Sequence, residues 1–138
     1  MREIKFRVWL KDKQVMEKVR SIEWAGIAVS SGFIKNIDTI SDRYYSKDYN
    51  GIENYIIMQY TGLKDANGKE IYEGDIVKIT NFIDMKTIYE IIWNEEVASF
   101  EYKDGPYINE YGDIIPGIHY PNECTVVGNI CENPELLN

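Results

Sequence analysis

The sequence predicts a mainly β protein with little helix, and three observations carry that prediction. Short runs of alternating apolar and polar residues recur along the chain, turn-forming residues punctuate them, and rings are abundant, with 11 Tyr and 3 Trp beside 4 Phe. Large amphipathic rings suit half-buried strands. No segment keeps a helical apolar period over the length of an ordinary helix.

The elements follow in order. In EIKFRVWL (3–10), Ile4, Phe6, Val8 and Leu10 share one face and Glu3, Lys5 and Arg7 the other, with Trp9 at the edge of the polar side. KDKQ (11–14) is a polar turn, and Val15-Met16 and VRSIEW (19–24) resume an extended pattern, so a meander is expected. Ile34, Ile37 and Ile40 recur at threefold spacing, which suits a short helical turn. Residues 41–53, polar and Tyr-rich with Asn50-Gly51 as a turn signal, read as a loop.

NYIIMQY (54–60) is apolar on both faces, as a central strand is. IVKIT (76–80) and TIYEIIWN (87–94) are further strands, the latter with Tyr89, Ile91 and Trp93 on one face. Trp24 and Trp93 are expected in the core. Asn94-Glu95-Glu96 turns the chain into VASFEYK, which completes a hairpin.

Residues 104–123 hold three of the four prolines and three glycines, so they form a long irregular excursion. CTVVGNI (124–130) returns as a strand. The chain ends in a short turn, with Asn133 as its cap and Pro134 at its first helical position.

Between these strands lies YTGLKDANGKEIYEGDIVKI (60–79), with Gly62, Asn67-Gly68 and Gly74-Asp75 crowded into twenty positions. Asn67-Gly68 predicts a type I′ hairpin, which needs positive φ at both central residues. Gly74 supplies a second reversal, and the Asp75 carboxylate is placed to accept a backbone N–H two residues on. The order of the glycines matches neither GxxxxGK[ST] nor GxGxxG, and no amphipathic helix follows to present its N-terminus to a phosphate. These are turns, not a ligand cradle.

MQYTGLKDANGKEIYEGDIVKI, together with MREIKFRVW at the start and VVGNICENPELL at the end, resembles the YopX family of small proteins encoded by phages and prophages of Gram-positive bacteria. The resemblance implies an SH3-like barrel built around the EGDIV corner and a phage origin. It assigns no catalytic or binding residue. Gly62, Asn67, Gly68, Gly74, Asp75 and Gly128 stand as structural positions of the matching blocks. Residues 25–53 and 104–123 carry no part of the match.

The bulk numbers bound the function. A chain of 138 residues with 44% hydrophobic and 28% charged residues is one globular domain, here 1–138, with an N-terminal meander and loop over 1–53 and the barrel core, excursion included, over 54–138. A formal net charge of -8 repels a phosphate backbone, so direct nucleic-acid binding is disfavoured. No apolar run reaches the roughly 20 residues of a membrane span and no signal peptide is visible, so a cytoplasmic protein is expected. In that compartment Cys124 and Cys131 are expected as free thiols.

Catalytic and metal chemistry find little support. His119 is the only histidine, so a zinc site with Cys124 and Cys131 still lacks a ligand, and a nucleophile has only one remote base. Asp65, Glu70, Glu73 and Asp75 lack the EF-hand spacing. No enzyme activity, cofactor or metal is expected. The excursion is richer, because Tyr107, Tyr111 and Tyr120 accompany its glycines and prolines, and tyrosine gives large contact area at little rotamer entropy. Those rings either contact a partner or fold back over the core. The expectation is a non-enzymatic accessory protein that binds a host or phage protein and self-associates; the alternatives are a nucleic-acid-associated protein and an acidic competitor of a host DNA-binding protein.

Overall fold

The computed structural model describes residues 1–23, 28–31, 43–45, 55–79, 87–105, 111 and 117–138. Among them the regular structure is ten strands and two short 3₁₀ turns, with no α-helix, so the mainly β class holds. The strands are β1 (Phe6–Leu10), β2 (Val15–Glu23), β3 (Ala28–Ser31), β4 (Arg43–Tyr45), β5 (Tyr55–Lys64), β6 (Glu70–Tyr72), β7 (Asp75–Ile79), β8 (Ile88–Asn94), β9 (Ser99–Tyr102) and β10 (Cys124–Asn129). Two compact units are present, Ile4–Gln59 and Met1–Glu3 with Tyr60–Asn138, and the boundary between them lies inside β5.

The unit Ile4–Gln59 is an antiparallel meander in the order β4-β3-β2-β1, with the first half of β5 on the far side of β1. Val8, Leu10 and Tyr55 form its buried cluster, with Val15, Val19 and Ile22 packed on them. The opposite face of β1 is less polar than its sequence suggests. Trp9 stands beside Met16 and Ile56 across the two pairings and is buried, and Arg7 Nε donates to Met58 Sδ at 3.4 Å. Long apolar neighbours on both flanking strands draw the ring in. Arg43–Tyr45 is a strand where a loop was expected, because pairing with β3 satisfies a polar backbone that has no apolar alternation of its own. The threefold isoleucines, Trp24 and Asn50-Gly51 lie outside the described residues.

The second unit is built on the antiparallel sheet β10-β7-β8-β9. β7 is central to its core: Ile71, Val77, Ile79, Tyr89, Ile91, Tyr102, Cys124 and Val126 are buried together, with Leu63 and Ile118 against them. Tyr89 and Tyr102 meet edge-on at 5.7 Å between ring centroids. The second half of β5 pairs with β6. Pairings among the described residues do not join β9 back to β10, so they form an open sheet and no closed barrel.

Trp93 departs from expectation. It lies at the end of β8, where the core runs out beside the Asn94–Ala98 connection, and it remains 38% exposed. Its ring stacks edge-on against Phe100 at 4.9 Å, and the Arg2 guanidinium lies 5.9 Å from the centre of the Phe100 ring.

Candidate contact surface

The glycine-rich segment is organised by one carboxylate. Asp65, 5% exposed, accepts the N–H groups of Asn67 and Lys69 on Oδ1, both at 2.9 Å, and that of Val126 on Oδ2, also at 2.9 Å. Gly68 N–H donates to the Asp65 carbonyl and Asp65 N–H to the Lys69 carbonyl. Within the turn Asp65–Gly68, only Gly68 takes a positive φ, of 79°. This is a type I turn closed by a left-handed glycine, not the expected type I′ turn. Asp65 sets the difference, since its carboxylate occupies the N–H groups of the turn. Ala66 N–H donates to the Cys124 carbonyl at 2.9 Å, so the turn is pinned to β10 at two points.

The remaining signature positions are equally committed. Gly62 (φ 88°) sits in the irregular pairing of β5 with β6, where Thr61 Oγ1 donates to the Ile71 carbonyl at 2.8 Å. Gly74 (φ 77°) takes the positive φ of the β6–β7 reversal; its N–H donates to the Ile91 carbonyl and its carbonyl accepts from Ile130. Asp75, buried, accepts the Tyr72 N–H at 2.8 Å. The expected direction was forward along the chain, but Val77 is already part of the β7 pairings with β8 and β10.

Gly128 follows a bulge in β10 and faces the side chain of Asn133. Asn133 does not cap the terminal turn (Pro134–Leu137) with its side chain; Oδ1 instead lies 3.4 Å from the Asn129 N–H.

Burial pushes the Cys124 thiol up, and the nearby Asp65 charge adds to the rise. Cys124 Sγ donates to the Pro121 carbonyl at 3.2 Å, and neither cysteine is in a disulfide. An alkylating agent at neutral pH should therefore label half-buried Cys131 first and Cys124 only on unfolding, a difference that mass spectrometry of the native and denatured chain reads directly. Among the described residues no group of three His, Cys, Asp or Glu side chains is close enough to hold a metal ion. None of their helices is long and apolar enough to cross a membrane.

The tyrosines of the excursion present themselves differently. Tyr107 lies outside the described residues, whereas Tyr111 is 81% and Tyr120 62% exposed. The fold-back over the core is made by Ile118, which packs on the buried cluster, and by Tyr102, whose hydroxyl donates to the His119 carbonyl at 3.0 Å. The left-handed backbone at Tyr120 was not legible in the sequence.

Comparison with known proteins bears on this arrangement as a whole. The family model described as YopX protein matches residues 5–138. The chain belongs to the YopX family. The chain is similar, at 30% sequence identity and a TM-score of 0.68 over 100% of both chains, to the crystal structure of protein EF1440 from Enterococcus faecalis. Comparison with curated proteins finds no match. The YopX match spans both compact units, including the connecting segments that carried no part of the sequence resemblance.

Proposed function

We propose that this member of the YopX family is a non-enzymatic phage or prophage accessory protein that binds a host or phage protein in the bacterial cytoplasm through the tyrosines of the excursion. One contrast supports the reading. The Asp65 carboxylate and Asp75 Oδ2 accept backbone N–H groups of the protein itself, while Tyr111 and Tyr120 are largely exposed. Exposed tyrosine is the side chain that protein contact surfaces favour.

The net charge of -8 favours a partner with a basic surface, including a host DNA-binding protein for which this chain competes with nucleic acid. The test is affinity purification from a Gram-positive lysate with and without nuclease. A specific protein retained at low salt after nuclease treatment, and released at high salt, is the expected result. Recovery of no specific partner at low salt counts against the proposal, and recovery that depends on intact nucleic acid favours a nucleic-acid-associated role instead. Self-association belongs to the same proposal and is read by sedimentation equilibrium.

A further inference from the structure

Tyr120 combines a costly backbone with an exposed ring. Its φ and ψ of 54° and 53° are left-handed, a conformation in which a side chain crowds the following carbonyl and which is an outlier for a bulky residue. Gln14, Ala98 and Asp104 share a positive φ, but each lies in or beside a chain reversal that demands one. Tyr120 instead leads into the 3₁₀ turn Pro121–Glu123.

The backbone around it is clamped. His119, Tyr120 and Pro121 have their carbonyls taken in succession by Tyr102 Oη (3.0 Å), the Glu123 N–H (2.9 Å) and Cys124 Sγ (3.2 Å). Those three bonds hold the left-handed turn without using the Tyr120 side chain. Glycine or asparagine would occupy the same backbone with less strain.

We infer that Tyr120 is the anchor through which the protein engages its partner, which offers a phenol-sized apolar pocket rimmed by basic side chains. A ring carried on an immobilised backbone loses little further freedom on docking, the property of an interface anchor. Arg or Lys at the pocket rim meets both the face of the ring and the acidity of this chain, with Glu123 three residues away and a net charge of -8. The inference rests on the proposed binding function and deepens it, by naming the residue and the chemistry of the pocket it fits.

The test uses the full chain with Tyr120→Asn, Tyr120→Phe and a benzoylphenylalanine photo-crosslinker at position 120, with the same crosslinker at Glu135 for comparison. Tyr120→Asn is expected to leave Tm unchanged or about 3 °C higher, because the left-handed strain is relieved. It is expected to lower partner retention at least tenfold, while Tyr120→Phe keeps retention within about threefold. The crosslinker at position 120, and not at position 135, should give one adduct that disappears at high salt.

A Tm lowered by more than about 3 °C in Tyr120→Asn would make the ring structural and overturn the inference. So would an adduct with the mass of two copies of this chain, or equal retention by Tyr120→Asn and the unmodified protein. Equal retention leaves the binding function standing, whereas failure of the unmodified chain to retain any partner removes both.

Discussion

Replacing Asp65 by alanine should destabilise the fold by about 3–4 kcal/mol, a large part of the 5–15 kcal/mol typical of a domain. The carboxylate accepts three backbone N–H groups, and they lose unequally. Asn67 and Lys69 are exposed, so water replaces much of what the carboxylate gave them. Val126 is buried, and its N–H would be stranded at the cost of about 1–3 kcal/mol. Losing the link to Val126 also loosens the turn from β10, where the Ala66 bond to the Cys124 carbonyl alone remains. Urea denaturation of the unmodified protein, Asp65→Ala and Asp65→Asn measures this, with Asn intermediate because it keeps one acceptor oxygen. A loss below about 1 kcal/mol in Asp65→Ala would show that the turn stands without its carboxylate.

The same residue fixes the sign of a pH dependence. Burial pushes the Asp65 carboxyl up, but the N–H groups of Val126, Lys69 and Asn67, together with the Lys69 charge, outweigh it and hold the group below the ordinary carboxylate range. With the folded pKa below the unfolded one, the unfolded chain binds the proton first as pH falls. The stabilisation is therefore complete above the ordinary aspartate pKa of about 3.9 and fades as pH drops through the folded value. The stability difference between the unmodified protein and Asp65→Ala should shrink between neutral pH and about pH 3, and a gap that widens would contradict the assignment.

How much of this was legible depended on how far each cause lies along the chain. Strands such as β8 and β9 were readable because alternation records which face is buried, and the turns at Gly68 and Gly74 were readable because glycine marks a positive φ. The type of the first turn was not, since the Asp65 carboxylate sets it by taking the Asn67 and Lys69 N–H groups, and the Asn67-Gly68 dipeptide does not show that. Trp93 was misplaced because alternation gives the face of a strand and not where the core ends along it. Arg43–Tyr45 was missed because, among the described residues, what makes it a strand is its pairing with β3.

The candidate surface divides the same way. Glycine and proline around the tyrosines announced an exposed segment, and two of the three rings are in solvent. The clamp that distinguishes Tyr120 joins Tyr102, Glu123 and Cys124 to three consecutive carbonyls. Composition does not encode that convergence.

Gly128→Ala should cost about 2–4 kcal/mol, although the backbone there needs no unusual φ. An added Cβ would lie 2.6 Å from Asn133 Oδ1 and 2.9 Å from both Asn133 Cβ and Cγ. A rotamer change moves Oδ1 but not Cβ, so the backbone at Asn133 must shift. That backbone is tied, with Asn133 N–H donating to the Asn129 carbonyl at 2.8 Å and its carbonyl accepting from Leu136 at 3.1 Å. Asn129 Oδ1 also accepts the N–H groups of Cys131 and Glu132, at 3.0 and 2.9 Å. A shift therefore strains a connected corner and disturbs the terminal turn beside β8.

Paired substitutions separate this from a generic loss. Adding Asn133→Gly to Gly128→Ala removes the obstructing Cβ and should restore a good part of the stability, whereas adding Asn133→Ala should not, because its Cβ stays in place. A coupling of about 1–3 kcal/mol for the glycine pair, measured by urea denaturation, is the expected result. Equal rescue by alanine and glycine would trace the cost to the amide instead. The outcome decides what the GNICENP segment is for: strong coupling makes it a steric lock for the chain end, and weak coupling returns Gly128 to the search for a contact surface.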